Sequence, residues 1–409
     1  MNNNALSENS KHSTFVISKS LALLGRSALI YPVRFVGSTA DVEFSPRLYA
    51  FNVLAVTLLT VSSWASLLNE VRLFWINQST RFNNGPILVV ALFHFTLVTA
   101  PCLIAVIGSA SKRYKTLLDV EQVLISVDKV LDGTTADKRV EWFALYLVVH
   151  LALVFLLDFS MWMDINPTNK SFFLVYAFHY INFMSVAVYA QIAFCIGHRF
   201  DTINRQIEAK LKWLTAINCT EFVSRKYHDL TDLIQSSDRC HKDTKYIPFE
   251  QFQEFYWSLC HSIKLINEQY GWQLLMCLLQ NVMNFVIAPN VIIVQIMHPE
   301  KWGPVNLKVT VNCFAWLLTH LLYLFLMVIP TSYAAIKAEK TACIICEHLN
   351  ISFAKDDIAQ LELFILQLQK FKLRFSICGV ITLQRSTITT VIGTVITYLL
   401  ISIQFLKSP

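Results

Sequence analysis

The hydrophobic and polar positions of this chain form a simple pattern of long, nearly uncharged apolar runs separated by polar connections. Seven runs contain roughly 20 residues, the length with which an α-helix crosses the roughly 30 Å hydrocarbon core of a bilayer. They cover residues 48–68, 87–108, 142–161, 172–196, 272–297, 309–329 and 387–405. The pattern therefore predicts an all-α, polytopic membrane protein with seven transmembrane helices.

Apolar side chains at helical spacing continue after the fourth run and precede the fifth. One stripe contains Ile203, Ile207, Leu211 and Leu214, and the other contains Phe252, Tyr256, Leu259, Ile263, Ile266 and Tyr270. Because both stripes adjoin a run directly, we expect helices 4 and 5 to extend past the membrane, where other helices must cover their apolar faces.

Lysine and arginine are distributed unevenly among the connections. The N-terminal segment has 5, the second-to-third connection 6, the fourth-to-fifth 10 and the sixth-to-seventh 7, so that 28 of the 34 lie on one side. Cytoplasmic connections of membrane proteins are enriched in these residues. We therefore expect a cytoplasmic N-terminus, an extracellular C-terminus and cytoplasmic extensions of helices 4 and 5, an orientation opposite to that of a G-protein-coupled receptor.

The composition fits a membrane protein, with 55% hydrophobic and 15% charged residues. Lys19 and Arg26 interrupt the first apolar segment, which makes it a poor signal peptide. The ten cysteines form no clustered framework, and none falls in a segment expected outside the cell. Extracellular disulfides are therefore not expected.

Patterns typical of enzymes are missing from the sequence. It contains no Walker-type loop, no G-x-G-x-x-G and no H-E-x-x-H, so no catalytic residues and no cofactor are predicted. Cys343, Cys346 and His348, with the distant Cys378, have the residue types of a zinc site. Because cysteines in an apolar segment more often act as small hydrophobic residues, no metal is expected.

Hydroxyl-bearing side chains follow one face of the last run. The face contains Thr387, Thr390, Thr394, Thr397, Ile401 and Gln404, at alternating steps of three and four residues. Such a face can line a water-filled path. It can also pack against another helix, with Thr389, Gly393 and Thr397 as a seam of small residues. The spacing alone favours this packing role.

The end of this run resembles the signature that closes the seventh helix of insect gustatory receptors. The matching residues are Thr397 and Tyr398, followed after five residues by Gln404 and Phe405, and before them Phe371, Phe375, Cys378, Gly379 and Leu383. The resemblance implies a non-selective cation channel that is gated by a small-molecule tastant. It further implies a homotetramer, or a heterotetramer with related subunits, in the plasma membrane of chemosensory neurons.

With the resemblance, the chain divides into four parts. Residues 1–47 form a cytoplasmic arm, 48–336 contain helices 1–6 with a long cytoplasmic connection at about 198–270, 337–382 form a cytoplasmic anchor, and 383–409 form a pore-lining seventh helix with a short extracellular tail. The pore and gate are expected at Thr394, Thr397, Tyr398, Ile401, Gln404 and Phe405. A ring of Phe405 side chains would close the pore by dewetting.

Polar and aromatic residues in the outer halves of the other runs are candidates for the ligand site, because polar side chains are costly in hydrocarbon. They are His94, Asp158, Trp162, Tyr176, His179, Tyr180, Asn290, Asn312 and Trp316. Gln280, Asn281 and Asn284 lie deeper in the fifth run, where they either transmit a signal or pack between helices.

Two other functions stay open from the residues alone. A seven-helix receptor that couples to a G protein would use the long fourth-to-fifth connection as its effector surface. A transporter would use the intramembrane histidine and aspartate residues to carry protons. The expected partners of the channel are a small-molecule tastant, permeating cations and membrane lipid, and no nucleic acid.

Overall fold

A computed structural model describes residues 25–30, 32–36, 41–76, 85–108, 112–131, 138–165, 173–226, 247–297, 307–348 and 355–407. Its helices are α1 (Pro46–Trp75), α2 (Gly85–Gly108), α3 (Lys112–Val130), α4 (Lys138–Ile165), α5 (Leu174–Lys226), α6 (Phe249–Met297), α7 (Leu307–His348), α8 (Lys355–Lys370) and α9 (Arg385–Lys407). Within these described parts, seven helices, all except α3 and α8, are long and apolar enough to cross a membrane. The prediction of seven transmembrane helices is confirmed.

Two short antiparallel hairpins accompany the helices in the described parts of the chain. Strands β1 (Val33–Val36) and β2 (Asp41–Phe44) pair directly before α1, and β3 (Ser376–Ile377) and β4 (Ile381–Thr382) pair before α9. The first helix starts at Pro46 because the Ser45 side chain accepts a hydrogen bond from the Leu48 N–H and proline suits the first turn. Each hairpin thus lies directly before a helix that is long and apolar enough to span a membrane.

The core is organised around α5, which packs mainly against α7 and also against α2 and α6. Helices α5, α6 and α7 contain 53, 49 and 42 residues, whereas about 20 suffice to cross a bilayer. The predicted extensions of the fourth and fifth helices are therefore present, and the sixth extends as well. The apolar stripes cause these extensions to pack, since Ile203, Ile207 and Leu211 are buried.

Helix α3 was not predicted from the sequence. It packs against α6 and is joined to α5 by the guanidinium of Arg199, which donates to both carboxylate oxygens of Asp128 at 3.1 and 2.5 Å. A two-point bond of this kind fixes orientation as well as distance. The mean hydropathy of α3 is too low to reveal its packed face by composition alone.

The last helix, α9, packs against the rest of the chain mainly through its first half. Val391 and Val395 are buried, whereas Ile396, Tyr398, Leu400 and Ile401 are exposed in the single protomer. Within the helix, the hydroxyls of Thr390, Thr394 and Thr397 donate to backbone carbonyls four residues earlier. Such an apolar, open surface requires lipid or further protein chains around it.

Candidate functional site

A polar cluster lies inside the bundle between α2, α5, α6 and α7. It consists of three pairs, each a histidine with a carboxamide of α6: His94 with Asn284, His179 with Gln280 and His320 with Asn281. The histidines belong to three different helices. One helix can reach all three because Asn281 is rotated by about 100° from Gln280 around the axis of α6.

The carboxamides determine which ring nitrogens carry protons. Nε2 of His94 lies 3.1 Å from Oδ1 of Asn284, and Nδ1 of His320 lies 2.7 Å from Oδ1 of Asn281. Since an amide oxygen only accepts hydrogen bonds, both ring nitrogens must be donors. Nε2 of Gln280 donates across 3.3 Å to Nδ1 of His179, so His179 is neutral with its proton on Nε2.

The rings of the cluster form a continuous row across the bundle. The centroids of His94 and His179 are 6.3 Å apart, and those of His179 and His320 are 6.4 Å apart. Trp316 lies 4.8 Å from His179 and stacks on His320 at 5.7 Å with an interplanar angle of 22°. The row therefore presents an aromatic surface whose edges carry polar nitrogens.

A small cavity adjoins this row. It has a volume of about 10 Å³, which suffices for one water molecule. Its lining includes His179, Gln280, Asn281, Trp316 and His320. Two buried polar atoms of this lining, Nδ2 of Asn281 and Nε2 of His320, have no hydrogen-bond partner among the described residues. The site can therefore form further hydrogen bonds with a bound molecule. A molecule larger than water can bind only if the cavity becomes larger.

Asp158 forms a second polar cluster that is connected to the first. Its carboxylate accepts hydrogen bonds from Nδ2 of Asn312 at 2.6 Å, from Nε1 of Trp316 at 3.0 Å and from the hydroxyl of Tyr176. These donors join α4, α5 and α7 around a carboxylate residue that is only 5% exposed. Trp316 belongs to both clusters, because its N–H contacts Asp158 while its ring contacts two histidines.

The structure brings together six of the nine residues that the sequence suggested for a ligand site. They are His94, Asp158, Tyr176, His179, Asn312 and Trp316. Tyr180 instead contacts the N-terminal segment, with its hydroxyl 2.7 Å from Oγ of Ser27. Trp162 lies one turn after Asp158 in α4, and Asn290 follows Pro289 in α6; both are half-buried.

Sequence reasoning separated residues that the structure joins. The sequence predicts that Gln280, Asn281 and Asn284 lie deeper than the ligand site. The sequence shows their spacing within one apolar run. It does not show which neighbouring helices pack against each of them. The polar carboxamides of α6 are as much part of the site as the histidines.

The residues expected at the pore lie on α9, away from both clusters. Thr394, Thr397 and Gln404 are exposed in the protomer, and so are Tyr398 and Ile401. The backbone of Phe405 is helical, whereas its side chain lies outside the described part of the chain. Their assignment to a pore stays a prediction.

Comparisons with known proteins agree with the fold. Residues 15–408 match the family model described as 7tm Chemosensory receptor. The Gustatory receptor for sugar taste 43a of Drosophila melanogaster is 23% identical over 329 residues, which cover 71% of this chain and 75% of that receptor. The solved insect olfactory receptor OR5 from Machilis hrabei has a TM-score of 0.63 at 10% identity, with 95% of this chain and 97% of that chain covered. The same receptor in complex with eugenol has a TM-score of 0.62 at 11% identity over the same shares.

Proposed function

Because the chain belongs to the 7tm chemosensory receptor family, we propose that it is a gustatory receptor that acts as a ligand-gated, non-selective cation channel. The observation that carries this proposal is the row of three histidines and Trp316 beside the carboxamides of α6, inside a seven-helix bundle. Polar side chains are costly in a bilayer interior, so a cluster of them there points to a functional site. Aromatic walls with a few convergent polar groups are typical of small-molecule sites.

The ligand that this site suits best is a compact molecule rich in hydroxyl groups, a sugar or a related polyol. Gln280 and Asn281 can each donate and accept hydrogen bonds, and the buried Nδ2 of Asn281 and Nε2 of His320 are unpaired among the described residues. The Trp316 ring supplies a flat apolar face for the C–H groups of such a ligand. The Drosophila relative is, by its name, a receptor for sugar taste, which supports the same class.

The size of the cavity links binding to opening. A volume of about 10 Å³ is far below the few hundred cubic ångströms of ordinary ligand sites. A ligand must therefore bind a state in which α6 and α7 have moved apart. A ligand that prefers this state shifts the population toward it, which is the energetic requirement for gating.

The proposed pore is formed by α9 of four chains in the plasma membrane of chemosensory neurons, with the C-terminus outside. The exposed apolar surface of α9 in the single protomer supports such an assembly, since neighbouring copies or lipid must cover it. The cytoplasmic extensions of α5, α6 and α7 would then form the anchor where the subunits meet.

The proposal is tested by whole-cell recording from cells that lack other chemoreceptors. We expect inward cation currents on application of monosaccharides and polyols, and none with eugenol as an apolar comparison compound. The currents should persist with GDPβS in the pipette, because no G protein is required. Currents abolished by GDPβS would indicate a G-protein-coupled receptor, and uptake of labelled sugar without current would indicate a transporter.

A further inference from the structure

One carboxamide of α6 binds the segment that leads into α9. Nδ2 of Asn267 donates to the backbone oxygen of Arg374 across 3.0 Å, and Oδ1 of Asn267 accepts from the N–H of Ser376 across 3.3 Å. A single side chain thus satisfies a backbone donor and a backbone acceptor on the same extended segment. This two-point bond resembles a strand pairing and fixes the direction of the segment as well as its distance.

One turn further along α6, the two backbones come into close contact. A Cβ atom placed on Gly271 would lie 3.0 Å from the backbone nitrogen and 3.3 Å from Sγ of Cys378. Cys378 and Gly379 have positive φ angles of 51° and 72°, as the central residues of a type I′ hairpin turn require. The absence of a side chain at Gly271 lets the hairpin lie directly on α6.

The hairpin and the start of α9 form one internally bonded unit. The backbone N–H of Leu383 donates to the oxygen of Phe375 at 2.9 Å, and both side chains are buried. Thr387 donates its hydroxyl to the oxygen of Thr382 at 2.9 Å and accepts from the N–H of Gln384 at 3.2 Å. Thr387 therefore caps α9 and joins it to β4. A contact that fixes the position of this hairpin therefore also fixes the first turn of α9.

Helix α6 carries both this attachment and the polar cluster described above. Asn267 precedes Gln280 by 13 positions, which is about 20 Å along a helix. No proline lies between them, since the proline of α6 is Pro289. An uninterrupted stretch of helix therefore connects the carboxamides of α6 to the hairpin.

We propose that Asn267 is the positioning residue that makes the lower part of α6 and the base of α9 move as one body during gating. This inference rests on the proposed channel function. Asn267 contacts neither the candidate ligand cluster nor the residues expected at the gate, and it acts through the backbone of 374–376. Its loss should weaken the transmission of ligand binding to opening, while the ligand cluster stays intact.

The first test compares Asn267→Ala with the matched control Glu268→Gln, an exposed neighbour on the same helix. Losing the carboxamide removes both hydrogen bonds to the segment, so the maximal ligand-evoked current per surface-labelled channel should fall about fivefold or more. The control should match wild type. Asn267→Asp keeps the acceptor for Ser376 and loses the donor to Arg374, so its current should be intermediate. This variant provides the same test if the alanine variant fails to reach the surface.

The second test replaces the lost attachment by a covalent one. Gly271→Cys places a thiol beside the native Cys378, and copper phenanthroline applied to excised patches should join the two. In the background of Asn267→Ala, the disulfide should restore the evoked current, and dithiothreitol should reverse the effect. Adding Cys378→Ser should abolish the rescue. A structural defect elsewhere would not respond to this bond.

The outcomes separate this inference from the function on which it rests. If the wild-type chain gives no ligand-evoked current, the proposed function fails first. If wild type responds and Asn267→Ala responds equally, the coupling role is wrong while the channel stands. If the disulfide forms and blocks opening instead of restoring it, α6 and the hairpin must slide during gating, and the proposal is overturned.

Discussion

Trp316 donates its indole N–H to the carboxylate of Asp158 across 3.0 Å while its ring lies 4.8 Å from that of His179. One side chain thus connects a buried carboxyl group to the row of histidines. In hydrocarbon, an ionised carboxylate persists only with several donors around it. Asn312 and Tyr176 supply the others. Asp158 therefore stabilises the position of the aromatic wall.

Replacing Asp158 should destabilise the bundle. Asp158→Ala leaves three donors without their acceptor, on the buried Asn312 and the half-buried Tyr176 and Trp316, at a cost of up to about 1–3 kcal/mol for each unsatisfied group. Asp158→Asn keeps one amide oxygen as an acceptor and should cost less. The thermal midpoint of the purified receptor in detergent measures both effects. The control is Asp164→Asn, which breaks the exposed ion pair with Lys308 and should cost below about 1 kcal/mol; equal losses at both sites would contradict this account.

The candidate ligand cluster should control ligand sensitivity. Asn281→Leu removes the carboxamide that pairs with His320 and that is only 1% exposed. Losing a buried hydrogen-bonding group in a ligand site costs about 1.4 kcal/mol or more, so the half-maximal sugar concentration should rise at least about tenfold. Dose-response currents normalised to surface labelling provide the measurement.

The matched variant for that experiment is Asn290→Leu. Asn290 is another carboxamide of α6, half-buried and outside the polar cluster. Its removal should leave the half-maximal concentration within about threefold of wild type, since Asn290 does not line the cavity beside the cluster. The reverse pattern, with Asn290→Leu more harmful than Asn281→Leu, would move the ligand site toward the outer end of α6.

The sequence predicts structural features that lie within one helix, but it does not predict contacts between helices. The hydrophobic runs reveal the spanning helices because the bilayer requires a fixed apolar length. The neighbours of Gln280 and Asn281 depend instead on how α2, α5 and α7 pack around α6, which periodicity along a single run does not encode. The turn at Cys378 likewise gave no signal, because asparagine rather than cysteine is the usual residue at this position of a type I′ turn.

The contact between α5 and α7 should tolerate no side chain at Gly197. A Cβ atom there would lie 2.6 Å from Cδ1 of Tyr333 and 2.9 Å from Cα of Ala334. The second distance involves backbone, so moving the tyrosine ring cannot relieve it. Gly197→Ala should therefore cost about 1–3 kcal/mol, as overpacking of a core does, and lower the thermal midpoint.

Gly393→Ala is the informative comparison for Gly197→Ala. Nothing lies within 4 Å of a Cβ atom placed on Gly393, so the same substitution in α9 should be neutral or slightly stabilising in a single protomer. A large loss of stability in the assembled receptor would show that another chain packs on this glycine. That result would favour the small-residue packing seam over a water-lined face.

The gate assignment predicts a leak. Phe405→Ala removes the aromatic ring expected to close the pore, so resting current without ligand should rise several-fold relative to wild type because a wider, less apolar constriction no longer dewets. Ile392→Ala, at an exposed apolar position of the same helix away from the hydroxyl face, should leave resting current unchanged. Leak in neither variant, at equal surface expression, would place the constriction elsewhere.

The orientation of the chain determines whether the polar cluster is reached from outside. Of the 34 lysines and arginines, 28 lie in the connections assigned to the cytoplasm. Such a distribution determines the orientation in which a chain inserts into the membrane. An epitope tag at the C-terminus should therefore bind antibody on intact cells, whereas an N-terminal tag should require permeabilisation. A C-terminal tag that is hidden until permeabilisation would reverse the chain, place the outer halves of the helices inside, and remove the route by which an external tastant reaches Trp316.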